Sequence, residues 1–333
     1  MAEIPIIDIA PLIERSVTER EAASAIGRAC RDFGFFYITG HGVDEELQLR
    51  LVDVSREFFV QNMTAKMSIA MSRGGRAWRG YFPVGGELTS GAPDLKEGIY
   101  FGTELGDDDP RVKAGTPLHG ANLFPATIPG FRETVLEYMD AMTALGHVLM
   151  RGIALSLGLD DSYFSMRYTA NPLVLFRIFN YPASDQPEEW GVGEHTDYGL
   201  LTILKQDDTG GLEVKSGGNW IDAPPVPGSF VCNIGDMLDR MTSGLYRSTP
   251  HRVRNVSGRA RLSFPFFFDP SFDAVVDTLP LEEARFSHIL SDDGDQRWDN
   301  SSVHEFRGTY GEYLLNKVSK VFPQLRQDVL DKS

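Results

Sequence analysis

Cysteine is nearly absent from this chain of 333 residues: it has two, Cys30 and Cys232, far apart in sequence. Neither stands in a CxxC or other metal-binding spacing, which excludes a disulfide scaffold and a zinc module. A reducing compartment suits such a chain, and the cytoplasm is the expected location. Basic charge is the second deficit, with 32 Lys and Arg against 47 Asp and Glu and a net charge of −15. No Lys/Arg run offsets that balance, so nucleic acid is not an expected partner, because phosphate contacts need a basic stripe. Long apolar runs are missing too: no stretch reaches the roughly 18 uncharged apolar residues that a membrane span requires. The opening Met1-Ala2-Glu3-Ile4-Pro5-Ile6-Ile7-Asp8 lacks the basic segment and apolar centre of a signal peptide, so neither membrane nor secretion is expected.

What the chain does have is core material. A content of 42% hydrophobic, 11% aromatic and 24% charged residues excludes disorder and fibrous architectures. Helical spacing predicts helices over 19–30, from Asp44 through Phe59, over 131–157 and over 306–321, while Ile4–Ile9 and Phe33–Ile38 read as extended. Ser72–Gly91 reads as a Gly-rich loop region. From Leu173 to Phe268 the pattern changes to about seven short β-type runs, at 173–180, 193–205, 212–214, 220–223, 229–234, 251–256 and 261–268, which suggests an antiparallel sandwich or jelly roll. With no repeat, low-complexity tract or linker, the expected organisation is one compact unit. Its N-terminal region, 1–120, packs on a catalytic region, 121–333, whose core covers about 172–270.

Gly193-Glu194-His195-Thr196-Asp197 stands at the start of a predicted strand. Side chains two apart on a strand share a face, so His195 and Asp197 offer an imidazole and a carboxylate to one point. With 7 His and 47 acidic residues, about one such pair arises by chance, and it carries little weight alone. A second histidine, His251, opens another β-type run and can supply a third ligand. Two histidines and one carboxylate occupy one face of an octahedral ion and leave three positions open, as non-haem Fe(II) sites require. Arg261-Leu262-Ser263 repeats the alternate spacing, and a guanidinium fork beside a hydroxyl is a receptor for a carboxylate. The same alternation turns Phe267 into that cavity.

In this order, His195-x-Asp197, His251 and Arg261-x-Ser263 resemble the iron(II)- and 2-oxoglutarate-dependent dioxygenases, in the isopenicillin N synthase-like branch. The resemblance covers nearly the whole chain, through Ile4-Pro5-Ile6-Ile7-Asp8, Gly34-Phe35-Phe36-Tyr37-Ile38, Gly40-His41-Gly42, Arg79-Gly80-Tyr81, Asp94-x-Lys96-Glu97, Asn180-Tyr181-Pro182, Gly211-Leu212-Glu213-Val214, Ile234-Gly235-Asp236 and Phe264-Pro265-Phe266-Phe267. It implies a mainly β fold with flanking helices and a double-stranded β-helix (jelly-roll) core. It implies Fe(II) on His195, Asp197 and His251, and the distal carboxylate of 2-oxoglutarate on Arg261 and Ser263, with Tyr181 adding a hydroxyl. Dioxygen is the other implied cosubstrate, succinate and CO2 are the implied by-products, and no catalytic side chain is implied beyond the metal centre. Arg79 and Tyr81 are expected either at a substrate lid or in a solvated loop, and Phe267 as a wall of the substrate pocket. Asp94, Lys96 and Glu97 are expected to be structural, as are His41, His119, His147, His288 and His304, which have no partner spacing.

The implied activity is oxidation of a small molecule, whether amino acid, peptide or secondary metabolite, by hydroxylation, desaturation or cyclisation. An alternative is an oxidase of the isopenicillin N synthase type. It would use the same triad without 2-oxoglutarate and place Arg261 and Ser263 on the substrate's own carboxylate. A binding protein that keeps the fold without turnover is a third reading.

Overall fold

The computed structural model describes residues 3–89, 92–183, 190–255, 257–281 and 302–322. Apolar residues spaced by three and four make Phe131–Ser156 a helix of 26 residues, and Val135, Tyr138, Met142, Leu145, Leu149 and Ile153 on its inner side are buried. Glu19–Asp32 and Glu45–Phe59 pack beside it, the latter begun by the Asp44 carboxylate accepting from Glu46 N–H at 2.7 Å. Tyr310–Val321 starts later than its apolar spacing predicts, because Thr309 and Glu312 form a reciprocal cap there. No helix among the described residues is long and apolar enough to cross a membrane.

The strands are β1 (Ile6–Asp8), β2 (Phe35–Thr39), β3 (Gly80–Phe82), β4 (Leu88–Thr89), β5 (Ala92–Pro93), β6 (Glu97–Gly102), β7 (Leu173–Tyr181), β8 (Val192–His195), β9 (Leu201–Gln206), β10 (Leu212–Ser216), β11 (Asn219–Asp222), β12 (Phe230–Ile234), β13 (His251–Val253) and β14 (Arg261–Asp269). They form a large sheet in the order β1-β2-β12-β9-β14-β7-β6-β3 and a small one in the order β11-β10-β13-β8. From β7 onward the strands alternate between the sheets in the manner of a jelly roll, apart from the β10–β11 hairpin, which lies wholly in the small sheet, so the fold class is the expected one. The N-terminal residues supply both outer flanks of the large sheet. On one side β2 pairs with β12, with Ile38 opposite Phe230, and on the other β6 pairs with β7.

Two predicted elements differ. The run 193–205 is two strands, β8 and β9, in different sheets, and Asp197 lies in the segment between them. The Ser72–Gly91 region is not simply a loop: it contains two short 3-10 turns and β3, joined to the large sheet through Phe82 opposite Gly98.

Because helices cover one side of the large sheet and the cavity lies on the other, its central strands are buried on both faces. On β14, Phe264, Phe266 and Phe268 turn toward the helices, and a Cβ on Gly146 of the long helix would meet the Phe268 ring at 2.4 Å. Arg261, Ser263, Pro265, Phe267 and Asp269 alternate with them and line the cavity.

A buried polar knot ties the N-terminal strands to this core. Glu97 on β6 accepts from Lys66 Nζ at 2.7 Å, Tyr81 Oη at 2.6 Å and Asn180 Nδ2 at 2.9 Å. Removing one partner of a buried pair leaves the other charge uncompensated, at a cost of about 3–5 kcal/mol. Glu97→Ala is therefore expected to lower stability by about that amount, whereas joint replacement by Lys66→Met and Glu97→Leu lowers it by much less. Urea unfolding midpoints of the three proteins check this.

Candidate metal centre

Antiparallel pairing of β8 with β13 puts His195, the last residue of one, opposite His251, the first residue of the other, with ring centroids 4.2 Å apart. Asp197 does not join them by strand alternation, because its strand has already ended. The 196–200 segment turns the carboxylate back, leaving Oδ1 4.0 Å from His195 Nε2 and 3.8 Å from His251 Nε2. Backbone bonds fix that turn: Asp236 N–H donates to Asp197 C=O at 2.7 Å and Met237 N–H to Gly199 C=O at 3.0 Å. So close an approach requires Gly235, where a Cβ would lie 2.3 Å from the Gly199 carbonyl oxygen.

One potential ligand atom from each of the three side chains lies within 4.8 Å of the other two, and this is the one such His/Cys/Asp/Glu group among the described residues. Each is oriented from behind. His195 Nδ1 lies 2.8 Å from Gly193 C=O and His251 Nδ1 lies 3.2 Å from Thr249 C=O. A carbonyl only accepts, so Nδ1 carries the hydrogen in both rings and Nε2 presents its lone pair. Asp197 Oδ2 accepts from Thr202 Oγ1 at 2.5 Å and Asn233 Nδ2 at 2.7 Å, leaving Oδ1 for a cation. Thr202 and Asn233 face each other in the β9–β12 register, so the sheet itself sets that clamp.

Burial, followed by the neighbouring His251, lowers the His195 pKa to about 4, so the imidazole is neutral at ordinary pH. Burial raises the Asp197 pKa, but the two histidines and the Asn233 and Thr202 hydrogen bonds outweigh it, and the carboxyl is held below its usual range. Two imidazole nitrogens and a carboxylate oxygen form a donor set that fits Fe(II).

Farther along the cavity Arg261 is fully buried, opposite Tyr181, with its guanidinium 4.8 Å from the Tyr181 ring. Nε donates to Gly210 C=O at 2.6 Å, while Nη1 is buried without a partner. An orphaned donor on a buried cation fits an incoming carboxylate. Ser263 and Phe267 line the same cavity, as does Tyr181.

Arg79 and Tyr81 are placed elsewhere, contrary to expectation. The Arg79 guanidinium is buried among backbone carbonyls, donating to Thr103 at 2.8 Å, Leu118 at 3.0 Å and Gly120, and Tyr81 is spent on Glu97. Neither lines the cavity. Among the described residues His41, His119, His147 and His304 belong to no metal-binding group, and His288 lies outside those residues.

Sequence reasoning missed Glu87 and Arg177, and it treated Lys96 as distant structure; all three line the cavity. A signal existed for Arg177, the single charge in the run Leu173-Val174-Leu175-Phe176-Arg177-Ile178-Phe179. The Asn233 and Thr202 clamp carried no such signal, since both sit in ordinary strand runs.

Comparison with known proteins agrees with this geometry. Residues 4–127 match the family model for the N-terminal region of non-haem dioxygenase in morphine synthesis, and residues 162–270 match that of the 2OG-Fe(II) oxygenase superfamily. A probable iron/ascorbate oxidoreductase of Dictyostelium discoideum is 54% identical, covering 98% of this chain and 97% of that protein. The 1-aminocyclopropane-1-carboxylate oxidase of Dictyostelium mucoroides is 39% identical, covering 96% and 95%. A full-length Neurospora crassa protein, crystallised in complex with alpha-KG, superposes with a TM-score of 0.77 at 28% identity, covering 95% of this chain and 96% of that one.

Outer partners of metal ligands typically contribute 10–100-fold in affinity. Asn233→Ala is expected to weaken Fe(II) binding by roughly that factor while cooperative unfolding persists, as measured by anaerobic metal titration beside thermal denaturation.

Proposed function

The chain belongs to the 2OG-Fe(II) oxygenase superfamily and is an oxidoreductase, and from that premise we propose that it oxidises a small molecule with 2-oxoglutarate as cosubstrate, at a centre held by His195, Asp197 and His251. The observation that carries this reading is the convergence of three oriented ligand atoms in a cavity whose other end holds the partly unpaired cation of Arg261. In our reading Arg261 and Ser263 receive the distal carboxylate of 2-oxoglutarate, with the Tyr181 hydroxyl beside them. Bound at the triad, Fe(II) with 2-oxoglutarate and dioxygen supplies the oxidising power, and the cosubstrate leaves as succinate and CO2.

The chain's own work is positioning and dryness. His195, His251 and Asp197 occupy one side of the cation and leave the other side to reactants. The Nδ1 hydrogens held by Gly193 and Thr249 keep the imidazoles in the ligating tautomer, and the Thr202 and Asn233 bonds stop the carboxylate from rotating. Phe35, Leu204 and Phe267 keep the cavity wall apolar, and water is disfavoured there.

Several finer features accompany this proposal. The chain is placed in the isopenicillin N synthase-like branch, supported by the N-terminal match over 4–127. Its working parts are an N-terminal region over 1–120 and a catalytic region over 121–333, supported by the way β2 and β6 flank one core sheet. The cytoplasm is its compartment, supported by the buried free thiols of Cys30 and Cys232. A small-molecule substrate is supported by the relative that acts on 1-aminocyclopropane-1-carboxylate.

An anaerobic titration of the Fe(II)-loaded protein with 2-oxoglutarate is expected to give a saturable visible charge-transfer band. Losing a charge-assisted contact costs about 1.5–3 kcal/mol, so Arg261→Ala raises the 2-oxoglutarate dissociation constant roughly 10–100-fold. His195→Ala, Asp197→Ala and His251→Ala each abolish the band and succinate formation. With iron content verified, absence of the band in the unaltered protein would mean the oxidase reading, in which Arg261 grips the substrate.

A further inference from the structure

The inner face of β7 carries Leu175, Arg177, Phe179 and Tyr181, all of which line the cavity. Arg177 lies four residues from Tyr181, about 13 Å along the strand at roughly 3.3 Å per residue, and Tyr181 faces Arg261. One wall therefore presents two guanidinium groups well separated along its length. On the reading above, Arg261 is occupied by the cosubstrate.

Arg177 has no comparable occupation. Its guanidinium lies over the Tyr100 ring at 4.1 Å and the Phe267 ring at 4.8 Å. Such contacts use the faces of the group and leave its edge, which carries the N–H donors, free. Nε is buried without a partner, and no hydrogen bond from the Arg177 side chain occurs among the described residues. Its nearest carboxylate oxygen, Glu87 Oε1, is 3.6 Å from Nη1, beyond hydrogen-bond range.

Glu87 is shared with two other groups, one at each oxygen. Oε1 accepts from Tyr100 Oη, and Oε2 pairs with Lys96 Nζ at 2.8 Å. Lys96 in turn is bound by Glu87 and Asp94, so its charge is spent within the protein. The cluster of Glu87, Asp94, Lys96 and Arg177 is neutral as a whole, and the arginine, whose side chain makes no hydrogen bond among the described residues, lines the cavity.

We propose that Arg177 is a specificity-determining residue that docks a carboxylate of the primary substrate, which is therefore a small organic acid bound between Arg177 and the His195–Asp197–His251 centre. This rests on the function proposed above for the same cavity. The assignment gives Arg177 a hydrogen-bond acceptor beyond its 3.6 Å ion pair with Glu87, and Phe267 then packs against the apolar part of the acid next to the docked group.

The test is calorimetric titration of the Mn(II)-loaded protein, with and without 2-oxoglutarate, using small amino and aliphatic monocarboxylic acids, each paired with its carboxamide. The expected result is that at least one acid binds and its amide binds at least tenfold more weakly. Arg177→Met then raises that acid's dissociation constant roughly 10–100-fold, Arg177→Lys raises it less, and 2-oxoglutarate affinity stays within about twofold, which shows an intact fold. Arg261→Ala gives the reverse pattern, weakening 2-oxoglutarate and sparing the acid. Equal binding of acid and amide, an acid indifferent to Arg177→Met, or a panel in which no acid binds overturns the proposal. If 2-oxoglutarate itself does not bind, the cosubstrate reading fails, and the acid titration without it still decides the role of Arg177.

Discussion

Asp197 has one carboxylate and two duties, and the arrangement of the cavity follows from how they are divided. One oxygen is held by Thr202 and Asn233, and the other faces two imidazole nitrogens about 4 Å away. A buried carboxylate is tolerated only when its lone pairs are matched. The match comes from three places at once: the β9–β12 register, the β8–β13 register and the turn at 196–200. Because each fixes a different atom, a slip in either sheet would separate the ligands. The Gly235 approach to Gly199 is the joint that lets these constraints be met together.

The same division between structure and chemistry runs along the large sheet. Toward the helices, β7 and β14 present Phe176, Ile178, Phe264, Phe266 and Phe268, which pack against Tyr138 and the long helix. Toward the cavity the same strands present arginine, serine, aspartate and tyrosine. A strand with period two supports both faces only if neither drifts, so a one-residue slip would bury guanidinium groups under the helix and aim phenylalanine rings at the metal centre. Aromatic packing on one side thus protects the polar arrangement on the other.

Much of this is legible in the amino-acid order. The long amphipathic helix, the β-rich centre, and the alternation that brings Arg261, Ser263 and Phe267 to one side follow from periodicity, and the structure has them in those places. His195 and Asp197 do come together, although by a turn rather than by alternation, because period two says nothing about where a strand stops. Arg79 and Tyr81 are not legible in the same way: polar residues near glycines read as solvated, while their hydrogen-bond partners, Leu118, Gly120 and Glu97, are distant or unremarkable in sequence. Arg177 escapes notice since a lone charge within an apolar strand looks like an interruption until both strand faces are known to be buried.

The strand β2 adds a constraint of another kind, one of timing. Its Ile38 pairs with Phe230, so the two halves of that contact are separated by most of the chain. Synthesis proceeds at about 5–20 residues per second, which leaves β2 without β12 beside it for on the order of 10–40 s after it is made. During that interval Phe35, Phe36 and Ile38 have only the local helices and β1 for cover. The N-terminal segment must therefore persist as a partly sheltered hydrophobic unit until β12 emerges, and the metal centre, with its last ligand on β13, is assembled only after that wait is over.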